Sequence, residues 1–179
     1  MEAEVNGSLK AFTLLEILVS LAVATTLILG GVYGYHQAIP RARSIACRQN
    51  LFNLSRALQL YLSEHQDVMP TLAPGRSSKD EGEKPGLDTV LLPYLDGPDS
   101  LRCPCDRKGL YETTGTSYFW NSLLNGQKSA NLHFLLTRDD SLIPVISDKE
   151  AFHKGVGNGV NILYANGSVE NQFQFQVGR

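Results

Sequence analysis

An apolar run near the start of the chain limits what the rest can fold into. From Phe12 to Tyr35 almost every side chain is apolar, and as an α-helix this run is about 36 Å long, enough to cross the hydrocarbon core of a bilayer with some tilt. One carboxylate, Glu16, interrupts the run. An ionised acid within a membrane is costly unless it has a partner. The sequence therefore predicts a membrane helix with a functional acid close to its beginning.

The residues around Glu16 carry a resemblance to a known family. The stretch FTLLE, from Phe12 to Glu16, follows a short polar leader and opens the apolar run, and it resembles the N-terminal signature of type IV pilins and type II secretion pseudopilins. The resemblance implies that a prepilin peptidase cleaves between Ala11 and Phe12 and methylates the new amino group of Phe12. The family usually has glycine where this chain has Ala11. It also implies that Glu16 pairs with the terminal ammonium of a neighbouring subunit during filament assembly.

The same resemblance implies partners, a location and a structural role. The partners would be other pilin or pseudopilin subunits, the prepilin peptidase and an inner-membrane assembly platform. The chain would be a single-pass inner-membrane protein with its globular domain in the periplasm, and it would not be an enzyme. Its net charge of -2 gives no electrostatic reason to expect nucleic acid as a partner.

Two other interpretations of the apolar run stay open. A secretory signal peptide would be cleaved after Ala24, at the A-x-A-like stretch AVA, and would release a secreted metal-dependent enzyme. An uncleaved single-pass anchor would instead hold an extracytoplasmic binding domain at the membrane. The charges beside the run favour the reverse orientation, since three arginines follow it and Lys10 alone precedes it.

The whole pattern predicts an α+β protein with a pilin-like fold, in which a long N-terminal helix has a membrane half and an amphipathic half. The predicted parts are a leader at 1–11, a membrane and filament-core helix at 12–39 and an extracytoplasmic globular domain at 40–179. Within that domain we expect an amphipathic helix at 41–66, loops at 67–116 and an antiparallel sheet at 117–177.

The prediction of an amphipathic helix comes from an apolar stripe with alternating steps of four and three residues. The stripe consists of Cys47, Leu51, Leu54, Leu58, Tyr61 and His65. A single stripe predicts that this helix packs on one side, against the sheet. Pro40, at the start of the segment, predicts a kink or a separation into two helical pieces.

Strand-like segments fill the last third of the chain. We expect strands at 117–123, 142–147 and, more weakly, 131–136. Pro144 favours an edge position for its strand, because proline cannot donate to a strand ladder. The clearest prediction is a hairpin between 160–164 and 169–177, joined at Asn166 and Gly167, a pair that favours a type I′ turn.

The three cysteines allow several chemistries. Cys103 and Cys105 form a CxC pair, which can bind metal, act in redox chemistry or supply one half of a disulfide. Zinc would need two more ligands, and His133 and His153 have no second ligand at zinc-finger spacing. An extracytoplasmic domain favours a disulfide from Cys47, on the buried stripe, to Cys103 or Cys105. Three reduced thiols are the alternative.

Other candidate sites lie near the C-terminus. Asp139, Asp140 and Asp148 are the acidic oxygens available for calcium, which some pseudopilins hold in a C-terminal loop, although no EF-hand spacing occurs. No other cofactor is expected. His153 is interpreted as a turn or interface residue rather than as a ligand or a base.

A narrower resemblance covers more of the chain. The segments that carry it resemble the pilin-like proteins abundant in planctomycetes and verrucomicrobia, whose C-terminal signature is a histidine, nine residues and Asp-Gly. In this chain the segments are Cys47 to Leu51, Cys103-Pro104, Ser117-Tyr118 with Asn121, and His153 followed by a Gly/Asn segment and a tight turn. Here the segment after His153 is longer, and the turn carries Asn166-Gly167.

Overall fold

A computed structural model describes residues 13–79 and 85–171 of the chain. The layout is α+β, with one long apolar helix near the N-terminus and a four-stranded antiparallel sheet near the C-terminus. Its contacts divide the chain into a first unit that ends at Ile39 and a second that begins at Pro40. The predicted cleavage site at Ala11 and Phe12, and the last predicted strand beyond residue 171, lie outside the described residues.

The long helix, α1, runs over Leu14–Glu64. By length and composition it is the one helix of the described residues that could cross a membrane, and none of its most apolar window is buried. Pro40 lies inside α1, so the expected separation into two helices is not observed.

The C-terminal part of α1 buries most of the predicted stripe, although Tyr61 is half-buried and His65, beyond the end of the helix, is exposed. Cys47, Leu51 and Leu54 are completely buried, and Leu58 is nearly so. This confirms the amphipathic helix, whose spacing places these side chains on one face. The helix ends at Glu64, just before two residues with positive φ, Gln66 at 57° and Asp67 at 59°.

Short helices and 3-10 turns lie between α1 and a small sheet and between the first two strands of that sheet. The helices are α2 (Leu87–Val90) and α3 (Leu110–Thr114), with 3-10 turns at Leu92–Tyr94, Pro98–Leu101, Ser122–Leu124 and Ser129–Asn131. The strands are β1 (Tyr118–Trp120), β2 (Pro144–Asp148), β3 (Ile162–Tyr164) and β4 (Val169–Glu170), and they pair antiparallel in the order β1-β2-β3-β4. Buried residues of the sheet, including Trp120 and Ile146, form one core with the apolar stripe of α1.

Two strand predictions are corrected. The segment 131–136 is not a strand: it follows the 3-10 turn Ser129–Asn131 and contributes one isolated bridge, from Phe134 to Thr137. Strand β2 is internal rather than at the edge. Pro144 is tolerated there because it is the first residue of β2, where the register to β3 shifts.

The hairpin between β3 and β4 is confirmed, but its turn is not type I′. That turn needs positive φ at both central residues, and only Gly167, with φ of 83°, has it. The backbone of Tyr164 closes the loop, donating to Ser168 O at 2.9 Å and accepting from Gly167 N at 2.9 Å. This is a three-residue loop with a glycine bulge, and it still puts Val169 into the core.

Candidate metal centre

Four buried side chains from separate segments converge beside the end of β2. Cys47 lies on α1, Cys103 follows the 3-10 turn Pro98–Leu101, Asp148 ends β2, and His153 lies in the loop after it. Their ligand atoms all lie within 4.8 Å of one another. Within 13–79 and 85–171, this is the one group of three or more His, Cys, Asp and Glu side chains arranged in this way.

Asp148 holds the centre of the cluster. Its Oδ1 accepts a hydrogen bond from Cys47 Sγ at 3.4 Å, and its Oδ2 lies 3.4 Å from His153 Nε2. The same imidazole nitrogen lies 3.5 Å from Cys103 Sγ. The side chains of His153 and Asp148 are only 1% and 0% exposed, so water does not screen their interaction.

Polar groups contact three of the four side chains, whereas Nδ1 of His153 is buried and has no hydrogen-bond partner among the described residues. Asn161 donates to Asp148 Oδ2 twice, from its backbone N–H at 2.7 Å and from Nδ2 at 3.1 Å. The Tyr118 hydroxyl lies 3.2 Å from Cys47 Sγ, and the backbone N–H of Cys105 donates to Cys103 Sγ at 3.4 Å. Asn161 comes directly before β3, whose pairing with β2 brings its amide to the carboxylate.

The surroundings shift the pKa values of the cluster's cysteines and histidine in different directions. Burial raises the pKa of Cys47. A hydrogen bond with Cys47 lowers the pKa of Cys103 to about 6, with burial acting in the opposite direction. Burial also lowers the pKa of His153, but its hydrogen bonds with Asp148 and Cys103 outweigh that effect and raise it to about 9. These directions favour a thiolate at Cys103 beside an imidazolium at His153.

The donor set is one that zinc can take. Thiolate sulfur, imidazole nitrogen and carboxylate oxygen are the ligands that Zn²⁺ takes in proteins, and structural sites use four of them in a closed shell. The same positions would also permit a disulfide between the two sulfurs, if an oxidant removed their hydrogens.

The predicted disulfide is not formed in the structure, where all three cysteines are free. Cys47 and Cys103 are brought together, whereas Cys105 stays outside the cluster. Cys105 is half-buried and lines a surface cleft of about 410 Å³ with Arg43, Lys108 and His153.

The expected calcium ligands are not assembled. Asp139 and Asp140 are exposed, and Asp139 Oδ1 accepts hydrogen bonds from Ser141 N at 2.9 Å and from Ser141 Oγ at 2.6 Å. Asp148 belongs to the buried cluster instead. The calcium prediction is therefore corrected, because the chain turns the carboxylate of Asp148 inward.

Sequence spacing alone did not place His153 in this cluster. Zinc-finger rules look for ligand pairs a few residues apart, but Cys103 and His153 are 50 positions apart. The signal lay in the narrower resemblance, since Cys47, Cys103, Tyr118 and His153 were all among its residues and all meet here.

Glu16, the other predicted site residue within the described chain, lies exposed in the first turn of α1. The hydroxyl of Thr13 accepts a hydrogen bond from the backbone N–H of Glu16 at 3.2 Å. The pattern Thr13-x-x-Glu16 has the spacing of a capping box, in which the acid also supports the start of the helix. Glu16 thus has a local structural role available beside the one implied by the resemblance.

No protein-family model, no curated protein and no solved structure matches the chain significantly.

Proposed function

We propose that this chain is a pilin-like structural subunit, anchored in the inner membrane, that is processed before Phe12 and assembles into a periplasmic filament of the type II secretion or type IV pilus kind. The observation that carries the proposal is the position of Glu16. It is the only acidic residue between Phe12 and Pro40, and it lies in the first turn of an exposed apolar helix.

The exposed surface of the first unit is the first support. Large apolar side chains there are more than half exposed: Leu14, Leu15, Ile17, Leu18, Val19, Leu21, Val23, Leu27, Ile28, Leu29, Val32, Tyr33 and Tyr35. An apolar surface of this extent is unfavourable in water and marks a lipid or protein contact. A subunit that waits in the bilayer and later packs against other helices would cover this surface in both states.

The acid is the second support. In lipid or in an apolar helix bundle, Glu16 needs a positive partner, because an unpaired buried charge costs several kcal/mol. Cleavage before Phe12 would create an ammonium four positions before Glu16. On a neighbouring subunit that ammonium would neutralise the carboxylate and set the axial register of the filament.

The second unit is the third support. It packs an amphipathic helix on an antiparallel sheet around one core, as the resemblance to pilin-like proteins leads us to expect.

The test is the mass of the mature N-terminus, measured on protein made in a cell that has a prepilin peptidase. We expect a chain that begins at a methylated Phe12. An intact Met1 would support the uncleaved anchor, and a chain that begins after Ala24 would support the secreted protein; either result overturns the proposal.

Ala11→Gly is the matched variant for this experiment. It restores the residue that the family usually has before the cleavage site, and it leaves the mature chain unchanged. We expect the same methylated Phe12 terminus with a smaller uncleaved fraction. If neither the natural chain nor the variant is cleaved by an active peptidase, the prepilin interpretation fails.

A further inference from the structure

We propose that Cys47, Cys103, Asp148 and His153 form a structural zinc site that joins α1 to the sheet. The site would give the globular domain a metal-dependent core. The inference concerns the second unit alone and does not depend on the proposed filament role.

The spacing of the four ligand atoms fits a tetrahedral ion. With Zn–N and Zn–O near 2.0 Å and Zn–S near 2.3 Å, ligand atoms of a tetrahedral site lie about 3.3–3.8 Å apart. Three separations in the cluster are 3.4 Å from Cys47 Sγ to Asp148 Oδ1, 3.4 Å from Asp148 Oδ2 to His153 Nε2 and 3.5 Å from that nitrogen to Cys103 Sγ. All four ligand atoms lie within 4.8 Å of one another, so adjustments of about 1 Å would bring the longest separations into the tetrahedral range.

The chemistry of the donors selects the metal. Two sulfurs and an imidazole exclude a good site for Ca²⁺ or Mg²⁺, which require shells of oxygen ligands. Mixed sulfur and nitrogen ligands in a tetrahedron are typical of Zn²⁺. Because zinc binds thiolate and neutral imidazole, binding would release the proton of the Cys47 thiol and one ring proton of the His153 imidazolium to solvent.

Neighbouring polar groups would stabilise the net charge of the occupied site. Two thiolates, one carboxylate and Zn²⁺ leave one net negative charge in a buried place. Donors already face that charge: both N–H groups of Asn161 at Asp148, the Cys105 backbone N–H at Cys103 and the Tyr118 hydroxyl at Cys47. Such outer contacts orient ligands and hold the metal.

The position in the fold indicates a structural ion. All four ligands are buried, and a closed protein shell leaves no position for a substrate. The ligands also come from segments far apart in sequence, with Cys47 and Asp148 separated by 101 positions. An ion that ties such segments together binds only the folded chain, so its binding energy stabilises the fold.

The test uses the full chain in detergent, produced with added zinc and purified without chelators. Native mass spectrometry and elemental analysis should find one zinc per chain. Replacement by Co²⁺ should give the visible bands of a tetrahedral cobalt–thiolate site, which reports ligand type independently of stability.

Four variants locate the ion. Cys103→Ser, Asp148→Asn and His153→Gln should each lose the bound zinc. Cys105→Ser should keep it, because this residue contributes only a backbone N–H to the cluster. If a ligand variant fails to fold, the cobalt spectra of the natural chain and of Cys105→Ser decide.

Three results would overturn the proposal. The first is a natural chain with free thiols that binds no zinc and gives no cobalt–thiolate bands. The second is a mass lower by two hydrogens, with peptides that show a Cys47–Cys103 disulfide. The third is zinc retained equally in all four variants, which would place the metal elsewhere. None of these results changes the mass of the mature N-terminus, so this proposal and the filament role fail separately.

Discussion

Asp148 Oδ1 accepts a hydrogen bond from the sulfur of Cys47 across 3.4 Å, although the two residues are 101 positions apart. Cys47 lies on the buried stripe of α1, and Asp148 ends the inner strand β2. The contact therefore links the two main elements of the second unit through polar atoms inside an apolar core. Buried polar atoms of this kind must be satisfied, by each other or by an ion.

Asn161 should tune metal affinity without being a ligand. It donates to Asp148 Oδ2 from its backbone at 2.7 Å and from its side chain at 3.1 Å. Removal of an outer contact to a ligand lowers metal affinity about 10- to 100-fold. Since Asn161→Ala keeps the backbone bond, we expect a loss near 10-fold, measured by competition with a chromophoric chelator. Asn131→Ala, at an exposed site, is the control, and equal affinity of the two variants would exclude this role for Asn161.

Gly115 should be intolerant of a side chain. Its φ is 90°, and a Cβ there would overlap the Asp88 carboxylate and lie 2.8 Å from Arg76 Nη2, where these two residues form an ion pair. Gly126 has a similar φ of 71° but open space around it. A side chain there would meet backbone strain without overpacking, so Gly126 is the matched control.

Gly126→Ala should cost about 1–2 kcal/mol from left-handed backbone strain alone. Gly115→Ala should cost about 1–3 kcal/mol more, because it adds overpacking to the same strain. Denaturant unfolding of both variants measures the difference. Equal stability would mean that the Arg76–Asp88 pair shifts freely.

Asp106 should make stability depend on acid pH. Burial acts to raise the pKa of Asp106, but the Ser117 hydroxyl and the N–H groups of Tyr111, Leu110 and Lys108 lower it below 3.8. A carboxylate with a depressed pKa stabilises the fold above its unfolded pKa, and this contribution is lost as pH falls through the folded pKa. Asp106 also caps the start of α3.

Asp106→Asn keeps one acceptor oxygen, but its amide NH2 cannot accept from a backbone N–H. It should therefore cost about 0.5–1.5 kcal/mol near neutral pH, the net value of one hydrogen bond. The gap to the natural chain should close as the pH falls below 3.8. Thermal unfolding of both proteins across this range measures the gap, and the comparison at each pH cancels the effects of other acids. Asp96→Asn, at an exposed site, should show neither effect. A gap that stays constant with pH would mean that the charge of Asp106 contributes nothing.

Local spacing predicted those elements that depend on local forces. The stripe of α1 and the hairpin around Gly167 follow from periodicity and from a turn glycine. The turn type did not follow, because the Asn166 side chain accepts hydrogen bonds from Ser168 N at 2.9 Å and from Ser168 Oγ at 2.7 Å. With these bonds formed, Asn166 stays outside the region of positive φ. Of the two central turn residues, only Gly167 adopts the left-handed conformation.

The candidate metal centre could not be predicted from local spacing. Cys47 is predicted to be buried by its stripe, and Cys103 attracts notice through the CxC pair. Nothing in the spacing connects either to His153, because a loop, a strand register and the Asn161 amide together fix their meeting. Long-range convergence of this kind depends on tertiary packing, which a single sequence does not display.

Glu16 offers the sharpest test of the filament role, because two explanations of the residue make different predictions. As part of a capping box, Glu16 supports the start of α1, and glutamine can replace glutamate in that motif. As the partner of an ammonium on a neighbouring subunit, it must carry a charge. Glu16→Gln keeps the cap and removes the charge, whereas Glu16→Val removes both.

We expect both Glu16 variants to insert in the membrane, because removal of an acid makes the span more apolar. We also expect both to be absent from sheared filaments, measured by immunoblot of filament and membrane fractions beside the natural chain. The decisive case is Glu16→Gln: if it assembles as well as the natural chain while Glu16→Val does not, the residue acts through the helix cap. Normal filament yield from both variants would leave the carboxylate without a role in assembly, and the pairing that the resemblance implies would be wrong.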